Sequence, residues 1–256
     1  MLLEKGWRRW QEHFATAGVI LLGVLAVLSF GLVVRARSAD RAAPAATTPG
    51  PAEPTAAQVP IPLPSPSPSV SIRLLNSITV ERVPVGDTVN LAAEGEADWV
   101  HWGEQGEYSL ERKANGNFAI LEDTPDAPRA RLDDSPQRYR WTGGSPMARA
   151  TGVTSGVRTC GVGKGFTLSA PAGAQSRTLL LYLGVSSGEG RLRLRLSTGG
   201  KAWTDRWAQR GSQLSTAVYT VHYGATATGK ISVEWITEES FDDDCGGVVL
   251  LAAALR

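Results

Sequence analysis

Tryptophan is the residue type in this 256-residue chain with the clearest capacity to bind a ligand. Six of the eight tryptophans lie between residues 99 and 235. An exposed indole can stack on the apolar face of a sugar, because its ring combines a large apolar surface with a polar edge. Trp203 and Trp207 stand in the polar stretch KAWTDRWAQRGSQ, where packing alone gives little reason for two indoles. We therefore predict both as ligand-binding residues, and burial in the core is the alternative.

Trp99, His101 and Trp141 are further candidates for the same kind of site. Alternation along the stretch DWVHW places Trp99 and His101 on one face of a strand and Val100 and Trp102 on the other. With Val100 beside it, Trp102 is the expected core residue, which leaves an outward orientation open for Trp99 and His101. Because tryptophan is highly buried on average, a framework role is the favoured alternative for Trp99 and Trp141.

The stretch RLRLRL at residues 191–196 predicts a strand with leucines toward the core and arginines on one exposed face. Such a face can meet anionic wall polymer or lipid headgroups, so Arg193 is retained as a candidate ligand contact. Solvated arginines on a sheet are ordinary, and they are the favoured interpretation of this face.

Two segments resemble catalytic or phosphate-binding motifs in residue pattern but lack features that those motifs require. GVSSG at 184–188 matches G-x-S-x-G. A nucleophile elbow requires a helix after the serine, whereas the sequence predicts a strand there. GVGKG at 161–165 lacks the Lys-Ser/Thr ending of a phosphate-binding loop. A glycan hydrolase needs two carboxyl groups about 5–10 Å apart in a cleft, which scattered acidic residues do not indicate. The sequence therefore predicts no catalytic residue and a protein that is not an enzyme.

The only two cysteines, Cys160 and Cys245, are most simply interpreted as one disulfide in an extracellular domain. Two free thiols in a reducing compartment are the alternative. The triplet Asp242-Asp243-Asp244 beside Cys245 is a weak calcium candidate, because loop carboxylates are the ligands that calcium prefers. A solvated turn is the more ordinary interpretation, and no other cofactor is predicted.

Residues 14–34, FATAGVILLGVLAVLSFGLVV, form an apolar run without a charge that is long enough to span a bilayer as one helix. A cleaved signal peptide is the alternative, but its apolar core would be shorter. Basic residues flank both ends of the run, so the positive-inside rule does not decide its orientation. We place the N-terminus inside because the two cysteines and the Pro-rich stalk after the run suit an extracellular location. The prediction is a single-pass protein of the cell membrane with a cytoplasmic head at 1–13 and an extracellular C-terminal domain.

The remainder divides into a stalk and one domain. Residues 35–69 are rich in Pro, Ala and Ser and end in VPIPLPSPSPS, a composition typical of an extended, disordered linker. From residue 70 to residue 256, short β-like runs recur every 8–12 residues with turn signals between them, so an all-β domain is expected. Segment 122–136 is interpreted as a long exposed loop. A net charge of +1 gives no indication of a nucleic-acid partner.

Several segments of this domain resemble a module of bacterial secreted and surface proteins. The resemblance covers residues 89–255 and rests on VNLAAEGEADWVHWG, QRYRWTGGSPMARATGVTSGV, GVGKGFTLSAPA, SRTLLLYLGVSSGEGRLRLRLS, AVYTVHYGATATGKISVEWI and GGVVLLAAALR. It implies a jelly-roll-like antiparallel β-sandwich of the galactose-binding-like, carbohydrate-binding kind. The function that it implies is non-catalytic binding of carbohydrate or another cell-envelope polymer. The alternatives are a structural or protein–protein interaction module without a sugar site and, after it, a glycan hydrolase.

Overall fold

The structure is a computed structural model that describes residues 75–123 and 128–256. The predicted head, membrane helix and stalk, residues 1–69, lie outside the described residues. Within the two described ranges, no helix is both long and apolar enough to cross a bilayer.

The described residues are almost entirely β-structure, which confirms the predicted all-β class. One helical turn, α1 (Leu91–Glu94), is present among them. The strands are β1 (Ser77–Pro84), β2 (Thr88–Asn90), β3 (Asp98–Trp102), β4 (Leu110–Lys113), β5 (Leu121–Glu122), β6 (Arg129–Leu132), β7 (Arg138–Thr142), β8 (Gly144–Ser145), β9 (Arg149–Val153), β10 (Gly156–Thr159), β11 (Gly165–Ala172), β12 (Arg177–Ser186), β13 (Gly188–Leu196), β14 (Trp203–Gln209), β15 (Ser215–Gly224), β16 (Gly229–Ser240) and β17 (Gly247–Leu255).

These strands form three sheets. The central sheet has the order β1-β15-β12-β17-β3-β4-β8, and β10 and β6 extend it beside β17. The outer sheet has the order β14-β13-β16-β11-β5, and the cover sheet has the order β2-β7-β9. Every described pairing is antiparallel except that of β2 with β7. The predicted β-sandwich is therefore present as the central and outer sheets, and the cover sheet adds a third layer.

Two hydrophobic cores separate the three sheets, and β17 belongs to both. Val248 and Leu250 lie in the first core, against the outer sheet, whereas Val249 and Leu251 lie in the second core, with residues of the cover sheet. The continuous apolar sequence of β17 is typical of a strand that is covered on both faces. All nine of its residues are buried.

The leucine-rich strands β12 and β13 follow their sequence patterns. In β12, Leu181 lies in the first core and Leu180 in the second, so this strand is also covered on both faces. In β13, Leu192 and Leu194 are fully buried in the first core, and the arginines between them point away from it. The predicted orientation of the RLRLRL stretch is confirmed.

The predicted disulfide between Cys160 and Cys245 is confirmed. Cys160 directly follows β10, and Cys245 stands two residues before β17. Since β10 pairs with β17 through Val157 opposite Leu250, the bond closes the end of a pairing that holds the central strand. It links residues that are 85 positions apart in the sequence.

Removal of this bond is expected to destabilise the domain. In the chain-entropy model, a closed loop of this length contributes about 4 kcal/mol to the free energy of unfolding. The double variant Cys160→Ser/Cys245→Ser should lose about this amount in urea unfolding. Wild-type protein kept reduced should match the double variant, and an unchanged midpoint in both samples would contradict the prediction.

Candidate ligand-binding cleft

A surface cleft with a volume of 330 Å³ opens where β3 and β4 of the central sheet extend past β5, the last strand of the outer sheet. Its lining includes two arginines, two carboxylates and two aromatic side chains: Trp102, Tyr108, Arg112, Glu122, Asp123 and Arg129. We refer to this site as the cleft.

Glu122 is the centre of the polar network in the cleft. Trp102 donates a hydrogen bond from Nε1 to Glu122 Oε2 at 2.8 Å, and Arg129 donates from Nη2 to Glu122 Oε1 at 2.6 Å. The Arg129 side chain is only 4% exposed, so this ion pair is withdrawn from solvent. The three side chains hold one another in a fixed geometry before any ligand arrives.

A second ion pair holds the loop at 114–120 beside the cleft. Asp98, at the start of β3, is fully buried, and its Oδ2 accepts hydrogen bonds from Arg112 Nη2 at 3.0 Å and from Ile120 N at 2.9 Å. Its Oδ1 accepts a hydrogen bond from Trp99 N. Arg112 also donates to the Ile120 carbonyl at 3.0 Å. One buried carboxylate therefore holds both Ile120, at the end of the loop, and Arg112, two residues before the loop begins.

The loop itself has an unusual backbone. Asn117 and Phe118 have φ angles of 52° and 53°, in the left-handed region that a bulky aromatic residue rarely adopts. Each such residue costs of the order of 1–3 kcal/mol. The neighbouring Gly116 packs directly on Asp98, where a Cβ would overlap with the carboxylate. The result is an outward-pointing Phe118 ring, which lies 4.2 Å from Arg112 Cζ.

Apolar side chains are exposed around the cleft. Tyr108, Phe118 and Leu121 have exposed fractions of 64%, 67% and 49%, and they are three of the five most exposed large hydrophobic residues in the described part of the chain. We call these three residues the apolar rim. Exposed apolar residues that adjoin polar groups commonly mark a binding site.

Three of the predicted site residues lie together, but in the second core. The Trp99 and Trp141 rings are 5.6 Å apart, and the His101 ring is 5.1 Å from that of Trp141. The framework role favoured for Trp99 and Trp141 is confirmed by their burial, and the outward orientation considered for Trp99 and His101 is wrong, because the cover sheet packs on that face of β3. The complementary expectation, that Val100 and Trp102 face the core between the sandwich sheets, is confirmed.

Trp203 and Trp207 lie on β14, at the opposite edge of the sandwich. Both are half-buried and pack against the first core. The Trp207 ring lies 5.6 Å from Arg82 Cζ and 6.3 Å from the Trp235 ring, so much of its surface is in contact with the protein. Trp203 packs on Tyr219 and borders a surface cavity of 450 Å³. The structure therefore leaves Trp203 more accessible to a ligand than Trp207.

Arg193 lies on the exposed face of the outer sheet, as predicted, but its charge is already paired. Its Nη1 is 3.5 Å from Glu234 Oε2. On the same face, Arg206 Nη2 donates to Glu238 Oε1 at 2.8 Å, which lowers the pKa of Glu238. Arginines and glutamates thus alternate in ion pairs across this surface.

The Asp242–Asp244 triplet forms an exposed turn before β17. The backbone N–H of Asp244 donates to Asp242 Oδ1 at 2.9 Å, so that carboxylate is used within the turn. Among the described residues, no group of three or more His, Cys, Asp or Glu side chains is arranged to hold a metal ion. The geometry gives the calcium prediction no support.

Sequence reasoning missed most of the cleft residues. Segment 122–136 was expected to be a loop, yet it contains β6, which pairs with β10 and places Arg129 in the cleft. The alternating stretch RARL was the available signal for this strand. For Tyr108 and Arg112, the sequence contains no local pattern that distinguishes them from ordinary surface residues.

No family model and no curated protein matches this chain. Among solved structures, a xylanase 10B fragment of Clostridium thermocellum (CBM22-1 and GH10 modules, with xylohexaose) aligns with 61% of this chain and 28% of its own, at 7% identity and a TM-score of 0.33. CapF with the inhibitor 3-isopropenyl-tropolone aligns with 52% of this chain and 34% of its own, at 13% identity and a TM-score of 0.14. Both similarities are too distant to establish a fold family or a function.

The buried Asp98 carboxylate is expected to be essential for stability. Asp98→Asn removes the charge that pairs with Arg112, and loss of one partner of a buried ion pair costs about 3–5 kcal/mol. The matched control is Asp133→Asn, which removes an exposed carboxylate 2.6 Å from Arg131 and should cost no more than about 0.5 kcal/mol. Equal unfolding free energies for the two variants in urea would contradict this prediction.

Burial of His101 in the second core lowers its pKa to about 3. The unfolded chain binds a proton at this residue below a pH of about 6.5, whereas the folded chain does not, so stability falls as the pH decreases through this range. The loss attributable to His101 should reach about 2 kcal/mol at pH 5 relative to pH 7.5.

His101→Phe should reduce this pH dependence in urea unfolding. Trp99→Phe provides the control, since it alters the same core without removing a titratable group and should leave the dependence unchanged. Identical slopes for wild type and His101→Phe would show that His101 is not responsible for the acid sensitivity.

Proposed function

We propose that residues 70–256 form a non-catalytic module that binds carbohydrate of the cell envelope. The proposal rests on one observation, the open cleft with the exposed Tyr108 ring at its mouth and a preformed polar network beneath it. The apolar run at 14–34 and the linker at 35–69 would anchor this module in the cell membrane and hold it outside the cell.

The composition of the cleft suits a sugar. A sugar ring presents an apolar face, which stacks on an aromatic side chain. It also presents hydroxyl groups, which need hydrogen-bonding partners. Tyr108 offers the aromatic surface, and Glu122, Asp123 and Arg129 offer acceptors and donors beside it. The volume of 330 Å³ is at the lower end of the roughly 300–1,000 Å³ typical of ligand sites, which favours a short segment of a polymer.

The state of Glu122 supports binding over catalysis. A glycosidase needs one carboxyl group that delivers a proton to the leaving oxygen. Glu122 accepts hydrogen bonds from Trp102 and Arg129 on its two oxygens, so it serves as a fixed acceptor. Glu122 is therefore poorly suited to donate a proton. A hydrolase needs two carboxyl groups, and the described part of the cleft then offers only Asp123 for these roles.

A protein-binding module is the second candidate function. Its support is the apolar rim, because Phe118 and Leu121 expose apolar surface beyond what a sugar stacking on Tyr108 would cover. The two candidates differ in the residue that matters most. Sugar binding depends mainly on Tyr108, whereas a protein interface would depend at least equally on Phe118.

Tyr108→Ala in the purified, oxidised full-length chain should weaken binding to the recognised polysaccharide. Stacking contributes about 1 kcal/mol, so we expect an affinity about five- to tenfold lower in affinity electrophoresis or calorimetry. Tyr108→Phe retains the ring and should retain most of the affinity.

Val162→Ala is the control, because Val162 has the same exposed fraction of 64% and lies outside the cleft. A loss of affinity in Val162→Ala equal to that in Tyr108→Ala would refute the role of the cleft. Absence of binding to any polysaccharide, by protein shown to be folded, would favour the protein-binding module.

A further inference from the structure

We propose that the cleft selects uncharged polysaccharide chains and discriminates against anionic ones. The inference rests on the proposed function and goes beyond it by naming the class of ligand. Two observations concern arginines of the cleft that are already paired with carboxylates, and a third concerns an exposed carboxylate that is not paired.

The first observation concerns Arg129, the most enclosed cation of the cleft. Both of its Nη atoms face the Glu122 carboxylate, and its guanidinium lies 5.5 Å from the Tyr108 ring and 5.6 Å from the Phe166 ring. Arg129 Nε has no hydrogen-bond partner among the described residues but is buried, so an anionic ligand would reach this guanidinium through the Nη atoms that Glu122 already holds. It would then leave a largely buried carboxylate without its cation, which is the costly way to break an ion pair.

The second observation concerns Arg112, the other cation of the cleft lining. Its partner is the fully buried Asp98 at 3.0 Å, and its side chain is only 12% exposed. A phosphate or carboxylate that attracted Arg112 would compete with Asp98 and release the loop at 114–120. Both cleft arginines are therefore already paired with a carboxylate, and the Nε atom of each, which has no hydrogen-bond partner in the described part of the chain, is buried.

The third observation concerns Asp123, which gives the cleft an excess of negative charge. Its side chain is exposed, and within residues 75–123 and 128–256 its carboxylate has no ion-pair or hydrogen-bond partner. Because Arg112 is paired with Asp98 and Arg129 with Glu122, the Asp123 carboxylate is the uncompensated charge among the described residues of the cleft. A like charge on a ligand is repelled here, whereas a hydroxyl group can donate a hydrogen bond to Asp123.

The exposed face of the outer sheet offers no simple alternative for an anionic polymer. Arg191, Arg193 and Arg206 lie within 4 Å of a glutamate oxygen, whereas the exposed Arg195 has no ion-pair partner among the described residues. This face therefore mixes both signs of charge, which contrasts with the continuous positive surface that phosphate polymers usually require.

The test uses matched polymers that share a backbone and differ in charge. Purified full-length protein is titrated with hydroxyethylcellulose and carboxymethylcellulose, and with neutral and carboxymethylated forms of β-1,3-glucan, xylan and amylose. We expect the neutral form of the recognised backbone to bind at least about tenfold more tightly than its carboxylated form, a difference of 1.4 kcal/mol. Binding of the neutral form should hardly change between low and high salt, because no ion pair is formed.

Asp123→Asn provides a direct check of the charge argument. Removal of the exposed carboxylate should reduce the ratio of the affinities for the neutral and carboxylated forms by about threefold to fivefold. Asp243→Asn, an exposed change outside the cleft, should leave the preference unchanged.

Failure of the selectivity and failure of the proposed carbohydrate binding would give different results. Equal or tighter binding of the carboxylated form, lost in Tyr108→Ala, would overturn the selectivity and leave carbohydrate binding at the cleft intact. An absence of binding to every polymer, by protein shown to be folded, would overturn the proposed function and the selectivity with it.

Discussion

The burial of β17 on both faces is the constraint on which the rest of this domain depends. The strand is hydrogen-bonded to β12 along one edge and to β10 and β3 along the other, so its backbone groups are satisfied within the central sheet. Its side chains must then fill two cores at once. Ala252, Ala253 and Ala254 stand opposite His101, Val100 and Trp99, so small residues alternate with large ones across the pair. Such alternation allows close packing without voids.

The cleft is a consequence of the unequal widths of the two sandwich sheets. The outer sheet ends with the two-residue strand β5, whereas the central sheet continues through β4 and β8. The inner face of β3 and β4 is therefore left partly uncovered beside β5. At the other edge, Arg82 of β1 and Tyr219 of β15 both donate hydrogen bonds to Asp205 of β14, which joins the two sheets. One edge of the sandwich is thus closed by a polar network, and the other is open.

The polar groups of the cleft are rigid because they are paired before a ligand binds. Asp98 and Arg129 are almost completely enclosed, and burial without partners would make both very costly. Their ion pairs serve mainly to fix geometry, since buried pairs contribute little net stability. The same pairing determines what the site can attract, because a guanidinium that is held by a carboxylate is no longer available to an anion. Stability and selectivity at this site therefore have a common origin.

Local patterns in the sequence determined the all-β class, the inward leucines of β13, the double burial of β12 and the disulfide. Each depends on residues close in sequence or, for the disulfide, on the absence of any other cysteine. The cover sheet, the burial of Trp99, His101 and Trp141, and the cleft were decided only by the tertiary structure. Alternation assigns a side chain to one face of a strand, but whether that face meets water depends on what packs against it. The cleft unites Trp102, Tyr108 and Arg129 from separate segments, and only the meeting of two sheet edges brings them together.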